Sequence, residues 1–172
     1  MPTAKQVMDV ARSQIGYTEG ANNKNKFGKK FGENNVSYCA IFLWYCGQIA
    51  AEKHGGLNPI AKNASAAYIQ EETVRKGGRW ILPKTTNKKL KKSVLKKLKE
   101  GDMVSFDFGK KDGWRNHIEF VEKVVGDVII TVGANTQPDG KKQKFDGVHR
   151  KHREYNDMCA VVRPKYTKEK KE

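Results

Sequence analysis

Several features that define whole protein classes are missing from this chain. It has three cysteines in 172 residues, Cys39, Cys46 and Cys159. Three thiols do not make a disulfide framework, and no CxxC pair or compact Cys/His cluster reads as a zinc site. If Cys39 and Cys46 share one helix, about 10 Å separates them, beyond the ~7 Å limit on Cα separation for a bridge. No apolar run approaches the ~20 residues of a membrane span; the longest candidate, residues 40–51, is interrupted by Gly47 and Gln48. The opening Met1-Pro2-Thr3-Ala4-Lys5-Gln6 has no apolar core of a secretory signal. A soluble monomer made in the cytoplasm is therefore expected; if it works outside a cytoplasm, something else must release it.

Acidic side chains are also scarce: 19 Asp+Glu face 34 Lys+Arg, a net charge of +15. Such an excess argues for anionic partners, not for a fold. Nucleic acid, an anionic membrane surface and the anionic polymers of a bacterial wall are the three classes it allows. No zinc-finger, RRM or KH pattern is present, so sequence-specific nucleic-acid binding is not expected. Eight of the lysines lie in residues 84–100, with Leu90, Val94, Leu95 and Leu98 at helical spacing. That reads as a short amphipathic helix with a basic outer face, closed by Gly101. Residues 163–172 form a second basic stretch, expected to fray.

What is present suits one α+β domain over residues 1–165, with a basic tail at 166–172. Thr3 and Gln6 make a capping box for a helix whose Val7, Val10, Ala11 and Ile15 share a face. Residues 17–36 are rich in Gly and Asn and read as a long functional loop. An apolar helix follows from Cys39 to about Lys53, with Ser37 available as its cap. A third helix is expected over 65–75, stopped by Gly77-Gly78. The period then changes to that of strands, over 103–108, 117–125, 128–132 and 158–162. Gly126-Asp127 reads as a type II′ hairpin turn. Helices followed by antiparallel strands make an α+β fold.

A nucleophilic thiol needs a lowered pKa, and a helix N-terminus supplies part of it. Cys39 sits where loop gives way to helix. Cys46 lies two turns further in, and Cys159 in a late strand; both read as core. Of the four histidines, His54 follows the helix in an exposed turn, while His149 and His152 sit among Arg and Lys. His117 opens a strand and can project from a sheet edge toward a helix terminus. Counted from the Gly126-Asp127 turn, Asn135 falls roughly opposite His117 across the hairpin. Those three make a Cys-His-Asn constellation in which Asn135 would fix the imidazole tautomer.

With these motifs in order, the chain resembles the CHAP domain (cysteine, histidine-dependent amidohydrolase/peptidase) of phage endolysins and bacterial wall hydrolases. The resemblance is carried by Gln14-Ile-Gly-Tyr-Thr-Glu-Gly20, Tyr38-Cys39-Ala-Ile-Phe-Leu-Trp-Tyr-Cys46 and Glu100-Gly-Asp-Met-Val-Ser-Phe106. It continues through Asn116-His117-Ile-Glu-Phe-Val-Glu-Lys-Val124 and Thr131-Val-Gly-Ala-Asn135-Thr136, and closes with Gly147-Val-His-Arg-Lys-His-Arg153 and Val162-Arg-Pro164. It implies a papain-like fold, N-terminal helices on a half-wrapped antiparallel sheet, and cleavage of a peptidoglycan amide by Cys39, His117 and Asn135. The bond cut would be the N-acetylmuramoyl-L-alanine amide or one in the peptides. Tyr38, Glu119 and Trp114 would contact substrate.

The departures are informative. The position where relatives carry a strand glutamate is Gly133 here, so Asn135 alone would orient His117. Glu119 shares a strand face with His117 by period-2 alternation, which would let it raise the His117 pKa or touch substrate. The loop before Cys39 holds Glu19, Glu33 and many Asn but no Asp, so no calcium site and no cofactor are expected. Anionic wall polymers bound through the basic face are a further expected partner. The competing expectations are a non-catalytic basic protein that binds nucleic acid or wall polymer, and Cys-His chemistry on some other amide.

Overall fold

The structure, a computed structural model, describes residues 1–83, 90–109 and 114–169. Four helices come first: α1 (Ala4–Ser13), α2 (Lys26–Phe31), α3 (Cys39–His54) and α4 (Ile69–Arg75). Six strands form one sheet: β1 (Arg79–Leu82), β2 (Met103–Phe106), β3 (His117–Val125), β4 (Val128–Thr136), β5 (Gly147–Glu154) and β6 (Met158–Arg163). Their order is β1-β6-β2-β3-β4-β5, every pairing is antiparallel, and the sheet is not closed into a barrel. This is the expected α+β class with N-terminal helices on an antiparallel sheet.

The helices form where the patterning put them. Thr3 caps α1 through the full reciprocal box with Gln6. α3 is apolar nearly all round and is buried on most of its surface, the behaviour of a central helix. It packs with α1, α2 and the sheet in one core that includes Met8, Phe27, Phe42, Leu43, Ile118, Phe120 and Val132. The opposite sheet face carries a second cluster of Val104, Phe106, Val121, Ile129 and Val161, covered by Val94 and Leu95. The two strands that meet at Gly126-Asp127 pair from Val125↔Val128 onward, with Gly126 at φ 58 and Asp127 outside the positive-φ region, as a type II′ turn requires.

Other expectations need correction. Residues 17–36 are not a plain loop: a 3-10 turn at Ala21–Asn23 and the helix α2 lie inside it. The Asn and Gly that suggested a loop are its punctuation, since Asn25 Oδ1 accepts from Gly28 N–H at 2.7 Å and Gly32 ends α2 at φ 100. Ser37 does not cap α3; Tyr38 holds the cap position with no side-chain bond. The lysine-rich helix is a 3-10 turn at Lys92–Lys97, and the part of that expectation over 84–89 lies outside the described residues. β1 and β5 were missed. β5 reads Gly-Val-His-Arg-Lys-His-Arg-Glu because it is an edge strand, where charge is tolerated and suppresses further pairing. The segment expected to fray is docked at its start, with Tyr166 Oη donating to Gly101 O at 2.8 Å and Thr167 N–H to Pro2 O at 3.1 Å.

Candidate active site

Cys39 is the first residue of α3 and only 3% exposed. Burial pushes its thiol pKa up. The His117 ring, the Ile118 N–H and the Ser37 hydroxyl, all hydrogen-bonded to the sulfur, pull it down further, and the net shift is downward. Ser37, expected as a backbone cap, is thus spent on the sulfur. Cys46 has no such donors, and burial holds its pKa well above the ordinary thiol value. Of these two thiols the anionic form is favoured at Cys39, where donors converge at a helix start.

His117 is delivered by the first residue of β3, paired with Phe106 of β2. The chain just before it is pinned by Arg115, which is 4% exposed and bonded to Glu71 and Gln70 of α4. His117 Nε2 lies 2.8 Å from Glu119 Oε1, so Nδ1 is the nitrogen left for the sulfur. Burial lowers the imidazole pKa, but the bonds and charges of Cys39 and Glu119 outweigh it and raise the pKa to about 9. The thiol shifts down while the imidazole shifts up, and both shifts favour a thiolate–imidazolium pair.

Glu119 is fully buried, and burial alone would protonate it. It is held ionised, at a pKa of about 2, by His117 and by Arg153, whose Nε and Nη2 reach its two oxygens at 3.0 and 2.5 Å. Thr131 Oγ1 donates to Oε2 as well. Every lone-pair direction with a neighbour is used, the condition under which a buried charge is tolerated.

Asn135 stands elsewhere than expected. Continuing the β3–β4 register does bring it level with His117, but it adopts φ 57 at an irregularity between β4 and β5, between Gly133 and Thr136. That turn of the backbone sends its amide away from the ring. Oδ1 accepts from Tyr38 N–H at 2.9 Å and Nδ2 donates to Asp146 at 3.0 Å. Asn135 therefore anchors Tyr38, the residue before Cys39, and Glu119 is the hydrogen-bond partner of the imidazole. Tyr38 is likewise not where substrate could meet its ring: it is wholly buried against Phe27, its hydroxyl pKa raised far by burial and by Glu19. Trp114 is 53% exposed and does not line the cleft described next.

A cleft of about 420 Å³ opens beside His117, lined by Phe108, Gly109, Asn116, Asn135, Thr136 and Arg153. The Phe108 ring is 45% exposed, stacks on Phe106 and lies 5.9 Å from the imidazole centroid. Arg153 lies over both phenyl rings. Neither Phe108 nor Arg153 was singled out in the sequence. Phe108 could have been found, as the next residue in alternation after Phe106; Arg153 sits among five other charged or imidazole side chains with nothing local to mark it. Among the described residues no group of three or more His, Cys, Asp or Glu is placed to hold a metal ion.

No protein-family model matches the chain. No curated protein matches it either. Among solved structures it is similar to Ly7917, at 17% identity and a TM-score of 0.50, over 94% of this chain and 62% of that one. It is also similar to Ly7917 with the hydrolysing product of MDP, at 16% identity and a TM-score of 0.51, over 94% and 63%. The chain thus spans less than two thirds of that neighbour. The likeness is one of fold.

Proposed function

We propose that this chain is a peptidoglycan hydrolase that cleaves an amide through the Cys39 thiolate, with His117 as acid and base and Glu119 as the group that positions the ring. The observation that carries it is the continuous chain of contacts from sulfur to imidazole to buried carboxylate. Support for the substrate class comes from the fold neighbour Ly7917, studied with the hydrolysing product of MDP, muramyl dipeptide. The resemblance to CHAP domains noted in the sequence points the same way.

In the reaction the thiolate attacks the scissile carbonyl carbon. The Cys39 N–H, one of the donors left without an intrahelical acceptor in the first turn of α3, faces the developing oxyanion. The imidazolium gives its proton to the departing amine, and the bond between carbon and nitrogen breaks. His117, now neutral, takes a proton from water, whose oxygen attacks the thioester; the carboxylic acid leaves and the thiolate–imidazolium pair is restored. Glu119 stays ionised throughout. It holds the ring plane and favours the protonated state, the role a third member plays without itself accepting the proton. Whether the bond is the N-acetylmuramoyl-L-alanine amide or a peptide bond is decided by which new ends appear.

The test is mass spectrometry of fragments released from purified peptidoglycan. Wild-type protein is expected to release fragments with either free lactyl groups or new peptide N-termini. Cys39→Ser is expected to lose activity by about 10³-fold or more, and its retention of full activity would falsify the assignment. A non-catalytic wall-binding protein would be indifferent to that change.

A further inference from the structure

Among the described residues no acidic side chain lines the cleft beside His117. Arg153 is a cation in that lining, and Phe108 walls one side. Arg153 uses Nε and Nη2 on Glu119, while Nη1 has no acceptor among the described residues. The guanidinium carbon lies 4.8 Å from the Phe108 centroid and 5.4 Å from that of Phe106. Its side chain is 16% exposed, so an edge of this clamped plane reaches solvent. A fork already fixed by a bidentate bond and a ring stack loses little further freedom on meeting a ligand.

We propose that Arg153 recognises a free carboxylate on the substrate, presented to Nη1 close to the scissile amide. This rests on the hydrolase reading above and adds the chemistry of the peptide. His117 Nε2 and Arg153 Nη2 share Glu119 Oε1, at 2.8 and 2.5 Å, which holds the two nitrogens within about 5 Å of each other. An extended peptide advances ~3.3–3.6 Å per residue. The carboxylate therefore belongs to a residue within a few positions of the cut. A carboxamide at that point can still accept a hydrogen bond from the guanidinium but loses the attraction between opposite charges.

The experiment uses two muropeptides, N-acetylmuramoyl-L-alanyl-γ-D-glutamyl-L-lysine amide and the same molecule with the free D-glutamyl α-carboxylate replaced by carboxamide. Binding to the full-length Cys39→Ala protein is measured by calorimetry, and kcat/KM with the wild type. The carboxylate form is expected to bind about 10-fold tighter and to be cleaved with a similar preference. Arg153→Lys, which keeps a cation beside Glu119, and Arg153→Gln are both expected to bring that ratio to near one, whatever they do to the overall rate. Equal binding of the two peptides to the Cys39→Ala protein overturns the Arg153 proposal, as does a preference that survives in Arg153→Lys. Carboxylate preference in binding with no fragments released from purified peptidoglycan by the wild type upholds Arg153 and overturns the hydrolase reading instead.

Discussion

Glu119 occupies the space that a side chain at position 133 would need. A Cβ built on Gly133 would lie 2.5 Å from Glu119 Cγ and 2.6 Å from Oε1. The two residues sit on neighbouring strands, and the absence of a side chain on β4 is what lets a carboxylate from β3 lie under the imidazole. Gly133 was noted in the sequence as the loss of a carboxylate. In the fold it is the vacancy that admits one.

Gly133→Ala therefore acts on catalysis through geometry. The methyl group displaces Glu119 from Nε2, so kcat is expected to fall by about 10–100-fold, at the low end of what a positioned acid–base group contributes. The accompanying signature is a lower His117 pKa in NMR titration of the imidazole. A wild-type rate and an unchanged titration would show that Glu119 does not position the ring.

The pH dependence follows from the same trio. On the proposed mechanism activity needs the thiolate and the imidazolium together, so the alkaline limb is expected to fall as His117 deprotonates through about 9. Glu119→Gln removes the charge that raises this pKa, and the alkaline limb of kcat/KM is expected to move to lower pH. Stability moves with the same groups. A raised histidine pKa contributes fully below about 6.5 and is lost as pH rises through about 9. The depressed Glu119 contributes above its unfolded value of about 4.5 and is lost as pH falls through about 2. Chemical denaturation of the wild type and Glu119→Gln at pH 6 and pH 10 checks this: the gap between them should narrow at the higher pH.

Asn135→Ala separates anchoring from ring orientation. It leaves the Tyr38 N–H without its acceptor, a loss of about 1–3 kcal/mol for an unsatisfied buried group. For a chain of this size that is a fall in Tm of roughly 2–10 °C. The alkaline limb of activity should stay where it is, because the ring keeps Glu119. A limb that moved with Asn135→Ala would return Asn135 to the role first expected of it.

Wall targeting by charge is testable apart from chemistry. Lys91, Lys92, Lys96, Lys97 and Lys99 are exposed around the 3-10 turn at Lys92–Lys97. Raising salt from about 0.1 M to about 1 M shortens the screening length from ~10 to ~3 Å. Binding to whole walls should weaken over that range, and more so for wild type than for a variant with these lysines changed to glutamine. Cleavage of a small soluble muropeptide should respond far less. Salt-independent wall binding would remove electrostatic targeting and leave the catalytic reading untouched.

Local chemistry was enough to determine the α1 capping box, the helix that begins at Cys39, the strand that begins at His117 and the hairpin at Gly126-Asp127, because each is written in adjacent residues. Helix caps, turn glycines and the change of apolar period act over a few positions and need no distant partner. The third member of the site was decided by tertiary structure. Counting along the hairpin favoured Asn135, but an irregularity at the end of β4 turned its amide to Tyr38. Glu119 became a buried anion only because Gly133, Thr131 and Arg153, from two other strands, supplied room, a hydroxyl and a countercharge. Burial of a charge depends on what surrounds it in space, and no spacing along a chain carries that information.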